Sequence, residues 1–254
     1  MDWLEFREPF NSWSHGVWTV LAMPATVVLW RLSRGDRPKQ RSFLLFGACM
    51  VFCFGSSALY HGVQPEAVDW IERLDFIGVY LLIVGTVVPL CVVVLRGRWR
   101  WTILLSVCLF AAAGIGLRVA SVPMSRLWST GMYIFLGWIC MTAYFELARQ
   151  LSHRAVSLVL LGGILYTTGA ALNFFNWPEL WPGVFSSHEV WHLFVMAASL
   201  CFYCLMLTVL VPFNRDSGDA PRGSRRNTMP CSIACGASGG ADGERIRSKG
   251  IPRR

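Results

Sequence analysis

Seven stretches of almost unbroken apolar residues divide the chain, at 16–32, 42–63, 74–95, 101–120, 127–147, 155–175 and 190–212. Each is near the ~20 helical residues needed to cross the hydrocarbon of a bilayer. The polar segments between them are too short to hold a soluble domain. The pattern therefore predicts an all-α integral membrane protein, a bundle of seven transmembrane helices over residues 1–213. The first block lacks the basic leader of a secretory signal, because Asp2, Glu5 and Glu8 outnumber Arg7 ahead of it, so the first helix is expected to be retained. Residues 214–254 are rich in Gly, Ser and Arg with few large apolar residues, and they read as a disordered basic tail.

Composition agrees with the pattern. A hydrophobic content of 54% with twelve Trp and a mean hydropathy of +0.47 lie outside the soluble range. The net charge of +8 points to membrane topology rather than to nucleic acid. With alternate connections on opposite sides, Arg7, Arg73, Arg118 and Arg126 fall on the side of the N-terminus, and every other Lys and Arg falls opposite. The positive-inside rule then places the C-terminus in the cytoplasm and the N-terminus outside, across a cell inner membrane. The nine Cys form no disulfide framework. Cys201 and Cys204 make a nominal C-x-x-C inside an apolar block, where Cys serves as a small packing residue.

Polar residues inside such blocks are expensive and mark function. Helix parity puts His15, Ser57, His61, Asp75, Asn173, Asn176, His188 and His192 at one membrane face, although they come from both ends of the sequence. In "SSHEVWH" His188 and His192 stand at i, i+4, so both imidazoles share one helix side and can reach one ion. Ser57 and His61 repeat that spacing at the end of the second block. Asp75 opens the third, where the helix dipole also favours a carboxylate as a cap. His15 reads as an interfacial residue rather than a ligand. Three imidazoles, a carboxylate and a hydroxyl suit a tetrahedral zinc with a position left for water. Calcium or magnesium would demand more oxygen ligands, and no thiol lies at this depth to favour copper. Few Arg or Lys occupy this face to repel a cation. "HEVWH" also satisfies the H-E-x-x-H pattern of zinc peptidases, with Glu189 as general base. The loop "NWPELWPGVFSS" carries Trp177, Trp181 and Phe185, rings suited to the headgroup level, as an aromatic belt or as a lip over the site.

With these residues in view the chain resembles the haemolysin III branch of the progestin and adipoQ receptor family. The matching stretches are "EPFNSWSH", "SSALYH", "LDFIGVYLLIVGTVVPL", "GGILYTTGA" and "SSHEVWHLFV", spread from about Glu8 to Phe213 and thin across the fourth and fifth blocks. Where the family has Gly-Thr-Tyr-Thr-Pro, Gly85, Thr86 and Pro89 stand here, with Val87 and Val88 in the middle. The resemblance implies seven transmembrane helices around an intramembrane zinc held by His61, His188 and His192 near one membrane face, with Asp75 and Ser57 beside it. It further implies relatives that hydrolyse a lipid amide, as alkaline ceramidases do. The chain is thus read as a zinc-dependent hydrolase of a membrane lipid amide or ester, with Asp75 orienting or deprotonating water and Ser57 fixing the water or the oxyanion. A receptor-like or cytolytic protein with a structural zinc, and an intramembrane metalloprotease, are the other readings. Adiponectin receptors keep the N-terminus in the cytoplasm; the loop charges here indicate the reverse.

Overall fold

A computed structural model of the chain describes residues 6–63, 68–182 and 184–214. The basic tail, with Cys231 and Cys235, and the acidic residues Asp2 and Glu5 lie outside the described residues. Among the described residues the fold is all helical: α1 (Pro9–Leu32), α2 (Arg37–Gly62), α3 (Val68–Val93), α4 (Gly97–Val119), α5 (Arg126–Trp138), α6 (Tyr144–Gln150), α7 (His153–Phe174) and α8 (Ser187–Leu205). The sequence expectations agree with these spans. Most helices begin a few residues before the apolar blocks, and side chains cap the starts of α2, α5, α7 and α8. Asp36 accepts from the Lys39 backbone N–H, and Ser152 from that of Ala155. Ser186 forms a capping box with Glu189, so α8 starts at the polar residues that carry the histidines.

Six helical spans among the described residues are long and apolar enough to cross a membrane, from Arg37–Gly62 to Ser187–Leu210. α1 has the length, at 24 residues, but is not among the six; Gly16, Thr19, Pro24 and Thr26 dilute its apolar run. The expected fifth helix is one span, Arg126–Gln150, that tightens to a 3₁₀ turn at Ile139–Ala143 between α5 and α6. There the Thr142 hydroxyl donates to the Ile139 carbonyl at 2.7 Å, a local bond that competes with regular helix. α8 continues as a wider turn over Met206–Leu210.

α1 packs along α2, α2 along α3, α3 along α4 and α7 along α8, while α1 meets α8 so that the first and last helices are neighbours. Lipid tails are as apolar as Leu, so close packing rather than expulsion of water holds such helices together, and small residues let them approach. At Gly78 of α3 an added Cβ would lie 2.8 Å from the Cα of Cys53 on α2. At Gly169 of α7 it would lie 2.6 Å from the Phe194 Cβ of α8. The core between helices is apolar, with Phe43, Phe46, Phe54, Leu82, Leu90, Ile103 and Leu205 fully buried. Polar ties reinforce the α1–α8 seam, where the Trp18 indole donates to the Ser199 hydroxyl at 3.0 Å. At the other end, buried Lys39 donates to the carbonyls of Val211 and Phe213 at 3.0 and 2.8 Å.

Candidate metal centre

The end of α2 and the start of α8 bring His61, His188 and His192 together, with one ligand nitrogen from each lying within 4.8 Å of the others. His61 and His192 are buried, at 1% and 3% exposure, and His188 is half-buried. The i, i+4 spacing of His188 and His192 sets their ring centroids 4.6 Å apart. Nε2 of His188 is 3.5 Å from Nε2 of His61. Two nitrogens bound at 2.0–2.1 Å to one tetrahedral zinc lie about 3.4 Å apart, so this separation fits a shared cation. Nδ1 of His192 is buried with no hydrogen-bond partner among the described residues, as expected of a nitrogen kept for a ligand. The donor set therefore fits a metal ion of zinc's preference.

Residues of the chain's beginning support this cluster. Glu8, which precedes α1, places Oε2 2.7 Å from Nδ1 of His61, and its backbone N–H donates to the His61 carbonyl at 3.0 Å. A carboxylate on Nδ1 fixes the ring's tautomer and leaves Nε2 to act as ligand. That bond to His61, with help from Asn11 and Arg7 and against the effect of burial, holds the Glu8 carboxyl down at about 2. The Asn11 amide bridges Glu8 Oε2 at 2.9 Å and Glu189 Oε1 at 2.8 Å, joining the two halves of the site. Glu189 Oε2 in turn accepts from the Ser186 N–H at 2.7 Å and its hydroxyl at 2.6 Å. Both oxygens of Glu189 are therefore committed to structure, and it does not line the cavity described below; a peptidase's general base has no such occupation.

His15 is buried against other helices, its ring stacked on His192 with centroids 4.0 Å apart, and among the described residues neither ring nitrogen has a partner. Asp75 differs from its expected place. α3 starts at Val68, so Asp75 lies about two turns inside and does not cap the helix. Instead Asp75 faces the buried Ser57 and His61 across the α2–α3 contact. Glu8, Asn11 and His15 were not singled out together from the sequence, although their spacing of three and four places all three on one helix face.

His15, Ser57, Asp75, His188 and His192 share the wall of a cavity of about 570 Å³. Its lining on α3 runs from Glu72 to Leu90, roughly 27 Å at 1.5 Å per residue, most of the ~30 Å hydrocarbon thickness. Beyond the polar end the walls are largely apolar, with Leu82, Ile83, Val87, Val159 and Phe202. Arg118 and Arg126 line it too, so this side is less free of positive charge than the sequence indicated. Arg126 is drawn aside by Asn176 Oδ1 at 2.9 Å and by the Asn173 carbonyl. None of Trp177, Trp181 and Phe185 lines the cavity. Their loop closes on itself through Trp181 and Phe185, and Phe185 rests edge-on against Phe10 at 5.0 Å.

Fold and site together define a multi-pass helical membrane protein with a buried three-histidine cluster able to hold a metal ion at the end of a long internal cavity. Residues 4–203 match the family described as haemolysin-III related, and the chain belongs to that family. It is 34% identical to Hemolysin-3 of Bacillus cereus over 208 residues, 80% of this chain and 92% of that protein. It is 33% identical to the Hemolysin-3 homolog of Bacillus subtilis over 82% of this chain and 97% of that one. More distantly it is similar to the adiponectin receptor protein of Drosophila melanogaster, at 26% identity over 77% of this chain and 49% of the receptor.

Proposed function

We propose that the protein is a seven-span, zinc-dependent hydrolase of a membrane lipid amide or ester, with α1 as the seventh span. The observation that carries this reading is the convergence of three imidazoles, a carboxylate and a hydroxyl at one end of an acyl-length cavity. His61, His188 and His192 would hold the ion, and Glu8 would orient His61. When bound, zinc supplies Lewis acidity toward a carbonyl and a water. Asp75 accepts the proton of the attacking water and passes it to the leaving amine or alcohol as the acyl C–N or C–O bond breaks, being near the cluster without belonging to it. Ser57 donates to the oxygen on which negative charge develops. The apolar length of the cavity takes the acyl chain and keeps bulk water from the reacting carbonyl. The loop charges support an orientation with the N-terminus outside and the C-terminus in the cytoplasm of an inner-membrane protein.

A structural zinc in a receptor-like or cytolytic protein is the second reading, favoured by the names of the Bacillus relatives. Against a purely structural ion stands the cavity, which brings Asp75 and Ser57 to open space beside the imidazoles. The test is turnover of N-acyl and O-acyl lipids by zinc-loaded protein in detergent. Release of fatty acid that disappears in Asp75→Asn, with zinc still bound, supports the hydrolase. Zinc-dependent stability with no release from any acyl lipid supports the structural ion.

A further inference from the structure

Arg118, in the last turn of α4, takes no part in the hydrolysis proposed above. It lines the cavity together with Ser129 and Tyr133 of α5. Its guanidinium carbon stands 3.9 Å from the centroid of the Phe76 ring. Nη2 donates to the Ser129 hydroxyl at 2.6 Å, and the Tyr133 side chain lies against it. Nε is buried without an acceptor among the described residues. Among the described residues no carboxylate comes within ion-pair distance of it.

A guanidinium is always charged and presents five donors. At the end of a membrane span such a charge, half-buried among helices, is ordinarily paired or turned to water. Here the described residues supply one hydroxyl, a phenol and an aromatic face, all neutral. The nearby carboxylates of α3 are engaged elsewhere: Glu72 accepts from the Tyr60 hydroxyl at 3.5 Å, and Asp75 sits with Ser57 and His61. The cavity lining therefore combines imidazoles and carboxylates of α2, α3 and α8 with the Arg118 guanidinium, held where α4 and α5 meet Phe76 of α3.

We propose that Arg118, Ser129 and Tyr133 form a subsite for the anionic head group of an acylated amphiphile whose tail fills the cavity. The Nε and Nη donors form a fork suited to a carboxylate or phosphate, and the missing counter-charge comes from the ligand. Combined with the hydrolase reading, on which this part rests, the substrate class is an acyl amide with an acidic head, of the N-acyl amino acid type. The amide faces the imidazoles and the acid faces Arg118. A lysophospholipid phosphate offers the same anionic chemistry without an amide.

Equilibrium binding to the full-length protein in neutral detergent tests this with three probes of one chain length: N-oleoylglycine, 1-oleoyl-lysophosphatidic acid and uncharged oleamide. We expect at least one anionic probe to bind roughly tenfold or more tightly than oleamide, the worth of a charge-assisted contact. Tighter binding of N-oleoylglycine supports the N-acyl amino acid class, and tighter binding of the phosphate probe overturns that class while keeping the anion subsite. Arg118→Gln should erase the preference while leaving oleamide affinity unchanged. Should that variant fail to fold, Ser129→Ala and Tyr133→Phe should each weaken the anionic probes alone. A wild-type protein without any preference, or an Arg118→Gln protein that keeps it, overturns the proposal. The same measurement on His188→Ala/His192→Ala separates the two readings. Retention of the preference there supports the Arg118 subsite even if no lipid is ever hydrolysed, whereas its loss would assign the anion to the histidine cluster and overturn the subsite.

Discussion

Replacing Glu8 with Gln removes a charge from the site while keeping the shape of the side chain. Glu8 is not a member of the three-histidine group; it touches Nδ1 of His61 at 2.7 Å and works through that ring. Its carboxyl is depressed to about 2 chiefly by the bond to His61. The sign follows from that: its contribution is complete above the ordinary carboxylate range and is lost only as pH falls toward 2, so at neutral pH the ionised form is present. Carboxylates behind metal-binding imidazoles change metal affinity by about 10- to 100-fold, or about 1.4 to 2.7 kcal/mol. The Glu8 side chain is 37% exposed, and water weakens its field, so we place the expected loss at roughly tenfold. The assay is competition for zinc against a chromophoric chelator at neutral pH, in detergent, with thermal unfolding measured alongside. Glu8→Ala should lose more, because the amide's remaining hydrogen bond disappears too. Zinc affinity in Glu8→Gln within about twofold of wild type would refute the carboxylate–imidazole coupling.

Further expectations concern the same site and its frame. Asp75→Asn and Ser57→Ala should each lower lipid hydrolysis by about a hundredfold or more while zinc content stays at the wild-type value, read by elemental analysis. Glu189→Gln should retain hydrolysis and cost about 1 kcal/mol of stability through its weakened capping box; complete loss of activity with full folding would restore the peptidase reading. Gly169→Val should lower the unfolding temperature, at a cost of about 1–3 kcal/mol, since its Cβ would sit 2.6 Å from that of Phe194. A compartment reporter fused after Arg254 should be active only on the cytoplasmic side; activity only outside would reverse the orientation drawn from the loop charges.

Much of this architecture was legible because hydrophobic runs of membrane length have few alternatives. The i, i+4 spacings at 57/61 and 188/192, together with helix parity, were enough to expect Ser57, His61, His188 and His192 at one end of the bundle, where they are found. The start of α3 was misplaced, because Val68–Arg73 is polar enough to read as loop although it is helical. With α3 starting there, Asp75 cannot be the cap that its place at the edge of the apolar block also allowed. The burial of His15 was not legible for a related reason. Its burial comes from stacking on His192 of α8 and from the Phe54 edge, contacts set by the meeting of α1 with α8 rather than by local pattern. Glu8 and Asn11 looked like an ordinary polar helix start. Their role depends on Glu189 and His61, more than fifty residues away along the chain in one case and 178 in the other. The tightened turn at Ile139–Ala143 has no Pro or Gly within it to announce it.

The most direct test is the metal content of the purified protein. Elemental analysis of wild type, prepared without added metal, should find one zinc per chain, and His188→Ala/His192→Ala in the same detergent should have lost it while remaining folded. A folded wild type that carries no zinc and takes none up, or a double variant that keeps its full complement, would contradict the proposal that His61, His188 and His192 meet around a single ion.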